Sequence, residues 1–352
     1  MGDRNIRTIL PAVTLALSAA IGVGAPNVAQ ADSCAALPNR CVAKLSTGID
    51  MAYVEVGPKE GSPVVLIHGL TDNIRSWSLA MDSLHRQDPG LHIFAIDLRG
   101  HGGSSMPDAT TCAPAPEKCF TLAQHAADIL AFMDSQGLKT ADLAGHSLGS
   151  FIVQEVALEH PERVTHAILV ATAASSVNNV VLRDYVLKEP VEGSWKTNLE
   201  AKGKKYPDDF YDLKPTDADP NVSDWLAKNW VVDPAASPDF LKPYLPETAG
   251  VKLGTWIGAT KGLLAQDNSE RLKGMKVPVL IMWATQDSIF LQSDQDAITA
   301  ALRSPRRTGT RTSTGRNTAP WPCPPPASRK ATSGTTSNGR PMTWSRRISM
   351  PF

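Results

Sequence analysis

TADLAGHS (residues 140–147) reads as a strand and SFIVQEVALEHPERV (150–164) as a helix, and Gly145-His146-Ser147-Leu148-Gly149 joins them. This spacing demands a chain that turns sharply from strand into helix. The glycines let backbone and helix approach where side chains would collide. Such a turn lifts Ser147 above a sheet and aims the helix N-terminus, with its unpaired N–H groups, at whatever binds there. A strand followed at once by a helix packed back on it is the repeating unit of a parallel sheet with helices on its faces.

The rest of the chain fits that unit. PVVLIHG (63–69), LHIFAIDLRG (91–100), HAILVAT (166–172) and VPVLIMWATQD (277–287) are rich in Val, Ile and Leu, as strands covered on both faces should be. LAQHAADILAFMDSQG (122–137) has helical apolar spacing and ends at Gly137, a stop signal. The expectation is an α/β fold with a doubly wound, mostly parallel sheet and right-handed crossovers. Residues 173–260 break the rhythm. They hold Trp195, Trp225, Trp230 and Trp256 with Tyr185, Tyr206, Phe210, Tyr211, Phe240 and Tyr244, and no strand run. They read as a mostly helical cap over the sheet's C-terminal edge. Most of these aromatics form its private core, and a few face a ligand cavity. The core is then split into residues 32–172 and 261–302.

Charge separates the ends from the body. The formal net charge is zero over 352 residues, but residues 303–352 carry nine Arg and one Lys with no Asp or Glu. The body is therefore acidic and only the tail is basic. At the other end, Arg4 and Arg7 precede an apolar run from Ile9 to Val23, and Ala29-Gln30-Ala31 forms a cleavage site before Asp32. The expectation is a signal peptide over residues 1–31, with no membrane span once it is removed, and a secreted or periplasmic product. Disulfides persist in such compartments. Cys34 and Cys41 are seven apart, as are Cys112 and Cys119. Two short-loop disulfides are the simple pairing, one of three connectivities open to four cysteines. Cys323 is left over.

The chemistry-bearing residues lie at strand ends. A serine hydroxyl needs a neighbouring base to become a nucleophile. In IHGLTD (67–72), the backbone N–H of Leu70 pairs with that of Leu148 as a two-donor oxyanion hole, which stabilises a tetrahedral intermediate by a few kcal/mol. His68 reads as a loop tie. In WATQDSI (283–289), Asp287 is placed to orient a histidine. No His or Cys cluster has metal-ligand spacing. RGHGGS lacks the helix start that would cradle a phosphate, so it is not read as a nucleotide-binding loop; no nucleic-acid partner is expected. The expected partner is a small-molecule ester; nothing bears on oligomeric state.

These motifs, with DLRGHGGS (97–104) and EHPERV (159–164), resemble the α/β-hydrolase superfamily, in its ester-hydrolase-like branch with a helical cap. The resemblance covers residues 48–300. It implies a Ser–Asp–His triad in that chain order, no cofactor and a cap-lined pocket. Serine stands at the elbow where dehalogenases and epoxide hydrolases of this fold carry aspartate, which argues against those activities.

One member of the implied triad is missing. The eight histidines are at 68, 85, 92, 101, 125, 146, 160 and 166, and none follows Asp287. The resemblance places the base in a late GHxxxWE-like loop, after one more strand and before a final helix. From Arg303 onward there is no Leu, Val, Tyr, Gln or His, and Arg, Pro, Ser, Thr and Gly dominate. Such a tail is a basic segment for an anionic surface, a linker, or DNA translated in the wrong frame. One permitted coding of residues 333–352, read from its third base, gives GHNLQWEAHDLVAKDLDAL. The first base of each shifted codon is free, and the printed residues dictate most of the others. The expectation is a one-base shift near codon 303 that replaced the last strand, the histidine loop and the final helix.

Overall fold

The computed structural model describes residues 36–230 and 236–303. The expectations for residues 1–31, Cys34, Cys323 and the tail beyond Arg303 lie outside the described residues. A seven-stranded sheet runs β1 (Cys41–Lys44), β2 (Asp50–Val56), β3 (Ser62–Ile67), β4 (Leu91–Ile96), β5 (Ala141–His146), β6 (Val164–Val170) and β7 (Val279–Met282). Their spatial order is β1-β2-β4-β3-β5-β6-β7. Strands β4, β3, β5, β6 and β7 are mutually parallel; β1 and β2 pair antiparallel at one edge. All five apolar runs read from the sequence are these parallel strands. The two antiparallel strands were not anticipated, because CVAK and DMAYVEV are short or polar at their ends.

Alternation within single strands shows why both faces must be covered. Val65 and Ile67 point into the main core with Phe94, Phe132 and Phe151, whereas Val64 and Leu66 point to the opposite face with Ile74 and Met81. Helix α1 (Arg75–Gln87) supplies that second face. After the one-turn α2 (Ala109–Cys112) come α3 (Leu122–Ser135) and α4 (Leu148–Glu159) against the main core. Helix α3 opens on a capping box in which Thr121 and Gln124 satisfy each other's backbone N–H groups. It ends at Gly137, whose φ of +69° suits glycine.

Between β6 and β7 the chain is helical: a wide π-type coil (Val181–Trp195), then α5 (Lys196–Ala201), α6 (Pro215–Ala218), α7 (Val222–Asn229), α8 (Pro238–Ala249) and α9 (Leu253–Leu264). Trp195, Trp225, Trp230 and Trp256 meet edge to face here, with centroids 5.1–5.6 Å apart. Helix α8 is tied to the start of α1 by a bidentate ion pair from Arg75 to Glu247, reinforced by Asn73. Helix α10 (Gln292–Arg303) closes the described chain. Cys112 and Cys119 form a disulfide, and Cys41 is also disulfide-bonded. Strand β7 has no neighbour on its outer side among the described residues, and Leu280 there is 55% exposed. A groove of about 410 Å³ lies beside it, lined by Val277, Val279, Ile281 and Leu302.

Candidate active site

Strand order locates the site before any side chain is considered. From β3 the chain steps to β4 on one side, then returns to β5 on the other. The loops leaving β3 and β5 therefore diverge, and a crevice opens between their C-terminal ends. Leu70 lies in the first loop and Ser147 in the second.

Ser147 sits at φ +50°, ψ −117° between β5 and α4, in a region that non-glycine residues rarely occupy. The surroundings leave it no alternative. A Cβ on Gly145 would strike the Gly149 carbonyl, and one on Gly149 would strike the Ile67 and His68 carbonyls. The turn is anchored by the Ser147 N–H to Val170 O (2.9 Å), and Ser147 O accepts from Ser150 N (2.8 Å) and Ser150 Oγ (2.6 Å). All hydrogen bonds of Ser147 among the described residues are thus made by its main chain. The β3 loop lies directly against it: a Cβ on Gly69 would sit 3.3 Å from Ser147 Cβ. Leu148 is fully buried and Leu70 nearly so. Among the described residues neither of their N–H groups has an acceptor. Two unspent donors thus flank the serine.

Asp287 lies beyond β7, two strands across from Ser147. With β6 between them, the strand axes are roughly 10 Å apart. Its Oδ1 accepts from Ile289 N (2.8 Å) and Phe290 N (3.0 Å). Phe290 is buried against Phe151 of α4, centroids 5.6 Å apart, so the loop carrying the acid is packed on the helix that follows the serine. The structure brings Leu70, Ser147 and Leu148 together and sets Asp287 across a gap from them.

None of the eight histidines fills that gap. His68 Nδ1 donates to Gly69 O (2.7 Å) and its Nε2 accepts from Leu98 N (2.9 Å). His101 Nδ1 donates to Arg99 O (2.8 Å) and its Nε2 accepts from Thr71 N (3.2 Å). Both rings are fully spent, held as fixed neutral tautomers that tie the loops after β3 and β4. Burial pushes His101 down to about 4; burial, then the His101 ring, pushes His68 well below the usual imidazole range. His125 is buried within α3, with both ring nitrogens unpartnered among the described residues. His146 turns toward Gly69, and burial lowers it to about 4. His92 pairs with Glu55, His166 with Asp142 and His160 with Glu162. Those three lie toward the N-terminal ends of the parallel strands, away from Ser147, and His85 is near the C-terminal end of α1.

The tie through His101 was missed in the sequence, where RGHGGS served as a family likeness and as evidence against a phosphate loop; a histidine directly after Gly100, which the structure holds at φ +73°, was its available signal. Also unanticipated is Asp72, two residues past Leu70, whose carboxyl burial pushes up to about 7. No group of three His, Cys, Asp or Glu among the described residues could hold a metal ion. No helix there is long and apolar enough to cross a membrane.

Residues 62–315 match the family described as alpha/beta hydrolase fold. Among curated proteins, the chain is similar to a (lyso)-N-acylphosphatidylethanolamine lipase of Mus musculus, 38% identical over 119 residues, which are 33% of this chain and 32% of the relative. It is also similar to Epoxide hydrolase A of Mycobacterium tuberculosis, 32% identical over 132 residues, 38% of this chain and 37% of the relative. The chain thus spans about a third of the length of these curated relatives. Among solved structures, a hydrolase from Pseudomonas aeruginosa PA01 superposes with a TM-score of 0.56 at 21% identity, over 76% of this chain and 88% of that one. An enol-lactonase from Burkholderia xenovorans LB400 gives 0.55 at 19%, over 74% and 87%.

Proposed function

The chain belongs to the alpha/beta hydrolase fold family, and from that premise we propose that it is an exported serine hydrolase of carboxylic esters, impaired because its catalytic base is missing. Ser147 Oγ attacks the ester carbonyl, and the Leu70 and Leu148 N–H groups receive the oxyanion. The alcohol leaves, an acyl-serine remains, and water releases the acid. Asp287 orients an imidazole that the residues after it do not contain. The observation that carries this reading is the enforced elbow at Ser147 with two unspent N–H donors beside it. A lactone, thioester, amide or peracid-forming reaction would use the same groups. Export to a secreted or periplasmic location rests on the N-terminal leader pattern alone.

The missing base is explained by a one-base shift near codon 303, for which the recovered GHNLQWE reading is the support. A second reading has its own observation: His68 and His101, buried beside the site, spend both ring nitrogens on loop backbone, as in a binding protein on a hydrolase scaffold. A fluorophosphonate probe separates the two. The frame-restored chain should label rapidly and its Ser147→Ala variant not at all. The printed chain should label slower by roughly 10³-fold or more, as a protein lacking one triad member does. Equal failure of the printed and frame-restored chains would favour the binding protein. Resequencing the gene across codons 295–352 tests the shift itself.

A further inference from the structure

The loop that carries Asp287 is fastened on three sides. Phe290 is packed on Phe151, and Trp283 Nε1 donates to Phe290 O (2.7 Å). The third fastening comes from the segment that leads into the cap: Asn179 Nδ2 donates to Ile289 O (2.8 Å), a bond spanning 110 residues of sequence. The same side chain faces the other way as well. Asn179 Oδ1 accepts from Leu182 N (3.0 Å), and Asn179 O accepts from Arg183 N (3.0 Å), so it caps the first turn of the coil that opens the cap. The two bonds require opposite ends of the amide, a donor toward Ile289 and an acceptor toward Leu182.

The backbone on either side of Asn179 differs in how it is held. Thr172 and Ala173 are bound by Gln154 (2.8 and 3.0 Å), and Thr172 O also accepts from Gln295 (2.8 Å). Ala174 O accepts from Asn268 N (2.8 Å), and Ser176 N donates to Gln266 O (3.0 Å). That run is fixed to the core. Val177 and Asn178 are exposed, and Asn178 has φ +63°. Among the described residues they are held by two local bonds, Val177 N to Ser175 Oγ (3.3 Å) and the turn bond from Asn179 N to Ser176 O (3.1 Å). Asn179 therefore sits on the cap side of a two-residue hinge while its amide grips the acid loop on the core side.

We propose that Asn179 is a positioning residue: it couples the seating of the first cap helix to the order of the Asp287 loop. The coupling rests on the reading of Asp287 as the acid of the site. When the cap helix is seated, the Asn179 amide holds Ile289 O, and the Ile289 and Phe290 N–H groups are kept on Asp287 Oδ1. When it lifts about Val177–Asn178, that hold is released and the carboxylate loses its fixed direction.

Amide hydrogen exchange on the full chain tests this without any turnover, so its outcome does not depend on whether an ester is cleaved. Asn179→Asp keeps an acceptor for Leu182 N and replaces the donor toward Ile289 O with a repelling oxygen. The expected result is a Leu182 amide protected as in the parent, with Ile289 and Phe290 amides exchanging about fivefold faster, the weight of one ordinary hydrogen bond. Asn179→Ala should release both places. Sheet amides such as Ile168, unchanged in both variants, establish that the fold is intact. Ile289 and Phe290 exchanging at the parental rate in Asn179→Asp would overturn the proposal. So would faster exchange at Leu182 and at the sheet in step with them, which marks a general loss of structure.

Discussion

Replacing His101 by Phe tests the idea that the loop beside Ser147 is held by one buried ring. The imidazole serves two backbone groups, donating to Arg99 O and accepting from Thr71 N. Thr71 is fully buried, and its N–H has no other acceptor among the described residues. Phenylalanine keeps a flat ring against His68, whose centroid is 5.0 Å away, but offers neither group a partner. A stranded buried donor costs about 1–3 kcal/mol, and a stranded carbonyl somewhat less because water or a relaxed neighbour more easily reaches one of its two lone pairs. The sum is about 2–5 kcal/mol, a large part of the roughly 5–15 kcal/mol that a domain has to spare. Thr71 is also held at φ +56°, so a loosened N–H lets the backbone relax and moves the neighbouring Leu70 N–H away from Ser147. Urea unfolding at pH 7.5 should show a lower midpoint at constant m-value. His101→Gln, whose Oε1 can replace Nε2 as the acceptor for Thr71, should recover about half of the loss and so separate lost bonding from altered shape. A loss under about 0.5 kcal/mol in His101→Phe would refute the argument, because it would mean that neither backbone group depended on the ring.

Three further outcomes follow from the same packing. Gly149→Ala should lose at least about 3 kcal/mol of stability in urea, because its Cβ meets the Ile67 and His68 carbonyls, which are backbone and cannot swing aside. Asp128→Ala should lose about 3–5 kcal/mol, because Asp128 is the bidentate partner of the buried Arg99 (2.6 and 2.7 Å); an Arg99→Met, Asp128→Leu double variant should be milder than the single one. In acid, His68, His101, His125 and His146 are all held below the usual 6.5, so the unfolded chain binds more protons and stability is lost as pH falls from 6.5 toward 4. Burial raises Asp72 to about 7 and Asp97 to about 6, so their contribution is present below about 3.8 and is lost as pH rises through those values. The four imidazoles outnumber the two carboxyls, so the net change between pH 6.5 and 4 is a loss, measurable by urea midpoints. Asp72→Asn should stabilise the chain more at pH 8 than at pH 5.

What the sequence disclosed follows from where its information is local. The parallel strands are continuous apolar runs, and the elbow is a five-residue pattern, so both were legible without partners. Strands β1 and β2 were not, because CVAK is four residues with one buried, and DMAYVEV has acidic residues near both ends although Met51–Val54 are buried on both faces. His68 was read as a tie because it follows a strand, whereas His101 depends on Thr71, 30 residues away in sequence. Asp72 could not be read at all: its raised carboxyl comes from burial, which one sequence does not display. Asn179 lies in a stretch with no periodic signal, and its partner is 110 residues further on.

The placement of the groups around Ser147 explains why loss of the base need not erase the rest of the site. The elbow conformation is imposed by backbone contacts of Gly145 and Gly149 and by the Val170 carbonyl, all within residues 62–170. The Leu70 and Leu148 N–H groups belong to the same block. Asp287 is held by its own loop, by Phe151 and by Asn179. None of these contacts passes through a residue beyond Arg303. The proposed frame change therefore removes activation of the serine but leaves its orientation and the two N–H groups proposed to receive the oxyanion in place. Restoring an imidazole to the gap between Ser147 and Asp287 should then recover rate without changing how tightly a tetrahedral phosphonate-like group is first bound. Binding that improved in parallel with rate would mean that the donors, too, depend on the missing segment.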